Sequence, residues 1–241
     1  MIQYIVFVLL AIMSLFACES DKCFYRAGDK TTEVHELDSF KTIGVYGLLD
    51  IELVQDSLYY VEIVAGKNVI KHVELKLISD TISLYNNNIC SWLRDYKRPL
   101  VRIHFEDIRV INLYESSFVF SNDSVSDSFT LVSQCEMAEA DVILNCDRFF
   151  FYVHHNTGGR YTFKGKANSV TCFGYYSSVI DALELEVNKM KVGNYSPVDY
   201  RVWATEELKV EIYNTGNIYY KGTPKVIIDT LNSTGYVFPI N

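Results

Sequence analysis

The sequence lacks most of the features by which an enzyme or a nucleic-acid-binding protein is recognised. It contains no Cys-x-x-Cys pair, no Gly-x-Ser-x-Gly segment and no glycine loop with phosphate-binding spacing. Lys and Arg number 22 against 30 Asp and Glu, so the net charge is −8. A basic surface for nucleic acid is therefore excluded, and we expect no nucleic-acid partner.

Helical periodicity is nearly absent after residue 40, and proline is scarce, with 4 residues in the whole chain. The short spacing of Val69, Ile70 and Val73 predicts one helical turn. Tyrosine and phenylalanine are abundant instead, with 18 and 14 residues. Short alternating runs rich in aromatic and β-branched residues predict an all-β protein.

The longest apolar stretch, Tyr4–Ala17, is too short for a membrane-spanning helix but has the length of a signal-peptide core. Leu15-Phe16-Ala17-Cys18 follows the pattern of a bacterial lipobox, so we expect a lipoprotein-type signal peptide over residues 1–17. Lipid such as palmitate on Cys18 would then attach the protein to a membrane surface. The alternative is an ordinary signal peptide followed by a cysteine without a role.

The remaining cysteines show neither metal-ligand spacing nor a pattern that selects disulfide partners. Their number is odd once Cys18 is set aside, so we expect mostly small core or surface residues, with one bridge left open. They are Cys23, Cys90, Cys135, Cys146 and Cys172.

Turn-forming residues recur near the C-terminus at a fixed interval. The column is Gly159, Ser178, Pro197, Gly216 and Gly235, with Val198 suggesting a slip of one residue. Gly165 and Gly222, each preceded by Lys, lie three such intervals apart. A period of this length predicts a parallel β-helix, or β-solenoid, with coils of about 19–20 residues. A sandwich with regular hairpins is the alternative.

Residues able to support catalysis are scattered, so we predict no catalytic, cofactor-binding or metal site. Adjacent strand residues point to opposite faces, so His154 and His155 should lie one inward and one in solvent. Tyrosines near the repeating turn favour a ligand-facing aromatic platform, although burial in the core is the commoner fate of such rings. They are Tyr175, Tyr176, Tyr213, Tyr219, Tyr220 and Tyr236, of which Tyr219 and Tyr220 are the chosen candidates.

Two segments resemble the family of putative auto-transporter adhesins with a head GIN domain. The first runs from Phe40 through Ile43-Gly44-Val45-Tyr46-Gly47 to Gly66-Lys67-Asn68. The second is the closing Gly-x-Ile-x-Tyr-x-Gly-x-Pro pattern that begins at Gly216. The resemblance implies an exported, often lipid-anchored β-helix domain of gram-negative bacteria, and it brings no catalytic residue.

These inferences combine into one expected organisation. Residues 1–17 form the signal peptide, 18–39 an N-terminal tether and 40–241 a head GIN-like β-solenoid domain. We expect a lipid-anchored protein of the outer membrane or cell surface that acts as an adhesin, binding or scaffold module on a glycan or protein. The alternative is an envelope enzyme acting on polysaccharide, with paired carboxylates on one face of the β-helix.

Overall fold

The computed structural model describes residues 26–88 and 97–240, and it is 65% strand and 2% helix in a β-solenoid-like arrangement of about six turns. The predicted fold class is therefore confirmed. The signal peptide, Cys18, Cys23, Cys90 and residues 91–96 lie outside the described residues. Within the described ranges, no helix has the length and apolar character needed to cross a membrane.

Seventeen strands and one short helix make up the regular structure of the described residues. The elements are β1 (Lys30–Glu36), β2 (Thr42–Tyr46), β3 (Asp50–Gln55), β4 (Tyr60–Gly66), α1 (Lys67–Ile70), β5 (Val73–Ile78), β6 (Thr81–Asn86), β7 (Leu100–Phe105), β8 (Val110–Leu113), β9 (Phe118–Phe120), β10 (Phe129–Ser133), β11 (Ala138–Val153), β12 (Gly159–Tyr175), β13 (Ser178–Tyr195), β14 (Tyr200–Ile212), β15 (Ile218–Lys221), β16 (Lys225–Leu231) and β17 (Val237–Pro239).

The strands form two faces of the solenoid. One face follows the order β5, β6, β2, β8 and β10, the second halves of β11 to β14, and β16. The other follows β1, β4, β7, β3 and β9, the first halves of β11 to β14, then β15 and β17. The four long strands therefore bend through both faces, and each contributes most of one coil.

The backbone register confirms the predicted repeat. Gly159 pairs with Ser178, nineteen residues later, and Phe129 pairs with Phe149, twenty residues later. Asp181 pairs with Arg201, so the coil between them is one residue longer than the coil from Gly159. Pro197 is therefore displaced from the expected column, as the slip at Val198 indicated.

The core is built from columns of inward side chains contributed by successive coils. Alternate residues of a strand point inward, and parallel pairing places equivalent residues of neighbouring coils above one another. One such column is Ile82, Ile43, Ile111, Leu131, Phe151, Cys172, Val192 and Val210, all fully or almost fully buried. A single coil could not bury this surface, whose removal from water contributes about 25 cal/mol per Å².

Two buried tyrosines satisfy their hydroxyl groups inside this core. The Tyr161 hydroxyl donates to Ser133 Oγ at 2.8 Å, and the Tyr200 hydroxyl lies 2.6 Å from Ser178 Oγ. Burial raises the pKa of both phenols, so both stay neutral at physiological pH. Tyr161 and Tyr200 thus act as large core residues rather than ligand contacts.

Three cysteines of the described residues are free and buried, as expected for small core residues. They are Cys135, Cys146 and Cys172. Burial raises the pKa of Cys146 to about 11 and that of Cys172 to about 12. These thiols remain protonated near neutral pH, which makes them poor nucleophiles.

Antiparallel strands cover the N-terminal end of the solenoid, where β1 pairs with β4 and β5 pairs with β6. The folded domain therefore starts before the expected boundary at residue 40, because Lys30–Glu36 is part of the sheet rather than of a tether. The short helical turn predicted near Val69 is confirmed as α1, whose Val69 and Ile70 are buried.

Glycines occupy the corners where backbone segments of successive coils approach closely. Gly165 and Gly222 have φ angles of 99° and 101°, a region that residues with a β-carbon rarely adopt. A β-carbon on Gly216 would collide with the carbonyl oxygen of Val198 in the preceding coil, and one on Gly235 would collide with that of Gly216. The repeated glycines are thus required by coil stacking.

Substitution Gly216→Ala should lower the free energy of unfolding by about 1–3 kcal/mol, because the new methyl group forces two coils apart. Thr215→Ala, at the exposed neighbouring position, is the matched control and should change it by less than about 0.5 kcal/mol. Urea unfolding followed by circular dichroism measures both values. Equal stability of the two variants would contradict the close stacking at this corner.

Candidate functional site

Six neighbouring strands share a block of three outward positions each, some of them in the residues that directly continue a strand, and none of these positions holds Asp, Glu, Lys or Arg. The strands are β6, β2, β8, β10 and the second halves of β11 and β12. The neutral face, as we name it, consists of Thr42, Gly44, Tyr46, Thr81, Ser83, Tyr85, Val110, Asn112, Tyr114, Thr130, Val132, Gln134, Phe150, Tyr152, His154, Thr171, Phe173 and Tyr175. Strand spacing makes it about 24 Å wide along the solenoid axis.

Charged residues border the neutral face, and two of them lie over rings at its ends. Lys76 Nζ is 4.9 Å from the centroid of the Tyr85 ring, and Lys191 Nζ is 5.5 Å from that of Phe173. At its N-terminal end Lys76 lies 3.1 Å from Glu74 on β5, and at its C-terminal end Lys191 lies 2.7 Å from Glu211. Arg109 and Arg148 line a pocket together with Thr130, Phe150 and Thr171, so both arginines lie along one long side of the face. Charged residues make up 22% of the chain, so their exclusion from these outward positions is a distinct feature.

The opposite face of the solenoid has the contrasting composition. Arg102 lies between Glu52 and Glu62, with nitrogen–oxygen distances of 2.7 Å and 3.2 Å. Further along the same face Lys164 lies 2.9 Å from Asp141. These cross-strand ion pairs cover the face with charge, so the two sides of the solenoid would attract different ligands.

A row of stacked tyrosine rings runs along one margin of the neutral face and continues past it. The ring centroids of Tyr46 lie 4.8 Å from Tyr85 and 4.4 Å from Tyr114, with interplanar angles of 13° and 9°. A second stack places Tyr195 4.4 Å from Tyr175 and 4.6 Å from Tyr213. The tyrosine row, as we name it, comprises Tyr46, Tyr85, Tyr114, Tyr175, Tyr195 and Tyr213.

Face-to-face stacking determines what the tyrosine row presents to solvent. Each interior ring has both faces covered by its neighbours, so only ring edges and hydroxyl groups are accessible. Tyr114 and Tyr213 are 37% and 42% exposed. Gly193 makes room for the stack, because a β-carbon there would lie 2.9 Å from the Tyr195 ring and collide with Phe173.

Three hydroxyl groups of the row, those of Tyr46, Tyr175 and Tyr195, have a raised pKa. Desolvation raises the pKa of Tyr175 to about 12 and, with the Tyr114 hydrogen bond as a smaller cause, also raises that of Tyr46. The Tyr195 hydroxyl donates to Glu211 at 3.1 Å, and desolvation followed by this bond raises its pKa. These three groups therefore stay neutral at physiological pH, and a phenol hydroxyl can both donate and accept hydrogen bonds.

The two tyrosines chosen from the sequence lie elsewhere, on the charged side of the solenoid. Tyr219 stacks on Phe238 with ring centroids 5.4 Å apart, at the last coil. Tyr220 points the other way and packs against the hydrophobic core. Of these two candidates, Tyr219 is therefore the one that faces outward.

The other tyrosines of the expected platform separate into two groups. Tyr175 and Tyr213 belong to the tyrosine row, whereas Tyr176 and Tyr236 project from turns and are 57% and 60% exposed. The structure thus brings together two of the six residues and adds four others. The sequence does carry a signal for the tyrosine row. It is a four-residue pattern that consists of a β-branched residue or cysteine, any residue, a buried residue and then tyrosine. The pattern occurs at Ile43–Tyr46, Ile82–Tyr85, Ile111–Tyr114, Cys172–Tyr175, Val192–Tyr195 and Val210–Tyr213.

His154 and His155 are both exposed, which corrects the expectation that one would face inward. The reason is that β11 ends at Val153, so the pair lies in a turn where strand alternation no longer applies. No group of three His, Cys, Asp or Glu side chains with metal-binding geometry occurs in residues 26–88 and 97–240.

One histidine has a carboxylate partner of the kind found in catalytic sites. His104 Nδ1 lies 3.3 Å from Asp56 Oδ2, and the Tyr60 ring stacks on the imidazole at 3.8 Å. The backbone N–H of Ser57, and secondarily His104, lower the pKa of Asp56. His104 Nε2 is buried and contacts no hydroxyl or thiol that it could activate in the described structure.

A groove of about 590 Å³ opens beside the stacked rings of Phe118 and Phe120 on the charged side. Its rim carries Lys30, Lys97 and Arg98 with one carboxylate, Asp50. Burial raises the pKa of Asp50, and the neighbouring Arg98 opposes that rise. Unlike the neutral face, the groove therefore combines aromatic rings with charged side chains of both signs.

Comparison with known proteins gives one family and several structures of the same architecture. The family model described as putative auto-transporter adhesin, head GIN domain, matches residues 39–224. No curated protein matches the chain.

Three crystal structures of bacterial proteins resemble this chain closely in fold but weakly in sequence. A putative adhesin from Bacteroides fragilis has a TM-score of 0.75 at 17% identity, covering 88% of this chain and 97% of its own. A putative adhesin from Parabacteroides distasonis has a TM-score of 0.64 at 19% identity, covering 88% and 98%. A putative lipid binding protein from the same species has 0.61 at 13%, covering 90% and 99%. At these identities the likeness shows the shared fold.

Removal of the central ring of the first stack tests the structural role of the tyrosine row. Tyr46→Ala should lower the free energy of unfolding by about 2–3 kcal/mol, since each aromatic pair contributes about 0.5–1.5 kcal/mol beyond the area it buries. Tyr236→Ala is the control, because Tyr236 is exposed and its ring lies 6.1 Å from Phe238 at a tilt. Chemical denaturation compares the two, and equal losses would show that the stack contributes nothing specific.

Proposed function

The chain belongs to the family of putative auto-transporter adhesins with a head GIN domain, and from that membership we propose that it is a non-enzymatic binding module of the bacterial cell envelope. Its role would be adhesion to, or attachment of, a partner at the cell surface. The neutral face is the observation that carries this proposal, because a broad, flat and uncharged surface suits binding rather than bond cleavage.

The arrangement of acidic residues supports a binding role over hydrolysis of polysaccharide. Glu52 and Glu62 are both bound to Arg102, so neither is available as a free acid or base. Glu184 and Glu206 are exposed to solvent on outward strand positions. No described acidic pair provides a specific reason to prefer the enzyme.

The lipid anchor completes the proposed location at the outer membrane or cell surface. The apolar stretch ending in Ala17 and the adjacent Cys18 support export followed by lipidation. Lipid at Cys18 would hold the N-terminal end of the chain at the membrane, and β1 begins only twelve residues later, at Lys30. The capped end of the solenoid would then lie nearer the membrane than the last coil.

Substitution Cys18→Ser should move the protein from the membrane fraction to the soluble fraction and abolish labelling with a palmitate analogue. Cys23→Ser is the matched control and should leave both unchanged. Cell fractionation, with surface proteolysis to locate the wild-type protein, provides the measurement. Membrane retention of the Cys18→Ser variant would refute the anchor without bearing on the binding surface.

The binding role is tested with the neutral face itself. Val132 is an outward residue at the centre of the face, so Val132→Lys places a charge there without touching the core. Beads carrying the full chain should attach to epithelial or bacterial cells, and Val132→Lys should reduce attachment at least fivefold. Thr162→Lys, at an outward position of the charged side, is the control and should attach normally. Attachment that is insensitive to Val132→Lys would refute the role of this face.

A further inference from the structure

We propose that the ligand of the neutral face is an uncharged glycan chain that lies across several coils. This inference rests on the proposed binding function and specifies the chemistry of its ligand. It relocates the glycan site from Tyr219 and Tyr220 to the opposite side of the solenoid.

The absence of charged side chains from the central outward positions of the face selects the ligand by desolvation. A charged ligand would lose water on contact without gaining an ion pair at the centre of the face, which is unfavourable. An uncharged ligand avoids this cost. The ion pairs Lys76–Glu74 and Lys191–Glu211 already neutralise the charges at the two ends of the face.

The polar groups of the face match the hydroxyl groups of sugars. Thr42 and Thr81 are directly paired, and Thr130 and Thr171 occupy the same column further along the axis. Threonine and tyrosine hydroxyls each donate and accept, as sugar hydroxyls do. Because coils repeat about every 4.8 Å, the face presents these groups at regular intervals to an extended polymer.

Phe150 supplies the apolar contact that a sugar ring requires. It is 38% exposed and sits between Thr130 and Thr171 in its column, so no aromatic ring of that column covers its faces. Phe173 lies 6.2 Å away at an angle of 57°, and Tyr152, two residues along the same strand, lies 6.5 Å away with its ring nearly parallel. Both centroid distances are longer than the 4.4–4.8 Å within the tyrosine row. Phe150 can therefore receive the C–H face of a pyranose, which the interior rings of the tyrosine row cannot do.

The dimensions of the face favour a slender polymer over a folded protein. Six strands spaced about 4.8 Å apart and five residues of about 3.3 Å each give roughly 400 Å². A stable protein–protein interface needs about 800 Å² from each partner. A second copy of this chain, or another globular protein, would thus need additional surface beyond the neutral face.

Binding to an immobilised panel of polysaccharides tests the ligand class. The panel contains neutral polymers (dextran, xyloglucan, galactomannan and yeast mannan) and acidic polymers (polygalacturonate, alginate and hyaluronan). Wild type and Thr162→Lys should be retained by at least one neutral polymer and not by the acidic ones. Phe150→Ala and Val132→Lys should lower the affinity tenfold or more, and Gln134→Lys, at an exposed position, provides a further variant should either of these fail to fold.

The outcomes separate this inference from the binding function. Retention by acidic polymers alone would assign binding to the bordering arginines and overturn the inference. Bead attachment could instead depend on Val132, survive periodate oxidation of the target cells and be lost on protease treatment. That result would identify a protein ligand and would also overturn the inference. Loss of Val132-dependent attachment upon periodate oxidation, together with retention by a neutral polymer, would support it.

Discussion

Everything in this molecule depends on the requirement that each coil be covered by the next. A coil of about twenty residues has an inward set of side chains that it cannot bury alone, and its backbone N–H and C=O groups need partners on both sides. Parallel stacking satisfies both needs at once, since Ile43 covers Ile82 on one side and Ile111 on the other. The same register then applies to outward positions, so any residue type that repeats in the sequence becomes a continuous column on the surface.

This column effect explains how a chain without recognisable catalytic motifs can build an extensive site. A single tyrosine at this position of one coil would be an isolated, half-buried ring. The tyrosine row forms because tyrosine occupies the equivalent position in six coils. The rings stabilise the stack by covering one another, and in doing so they withdraw their faces from solvent. The aromatic residues therefore have two different roles. The tyrosine row stabilises the stacked coils, whereas Phe150, which lies outside the row, is the ring proposed to contact a ligand.

The sequence predicted the fold because its evidence was periodic. Gly216 and Gly235 recur at the coil interval since a β-carbon at either position would collide with the carbonyl of the coil before it. The neutral face was harder to predict than the fold, because its tyrosines occur singly at equivalent positions of the coils, whereas Tyr219 and Tyr220 form a conspicuous pair. A tyrosine doublet on a strand directs one ring inward, and Tyr220 accordingly packs against the core. β1 escaped prediction for another reason, since as an edge strand it buries little and its polar sequence carries no apolar alternation.

The two ends of the solenoid differ in a way that gives the molecule a direction. Antiparallel strands β1 and β5 close the first end, while the last coil in the described structure leaves Ile228 and Phe238 52% and 41% exposed. In a nearest-neighbour description, an end coil has one interface instead of two and opens before the interior coils. For the described residues we therefore expect local opening to be easiest at β16 and β17, and amide hydrogen exchange to be faster there than in the coils that carry the neutral face.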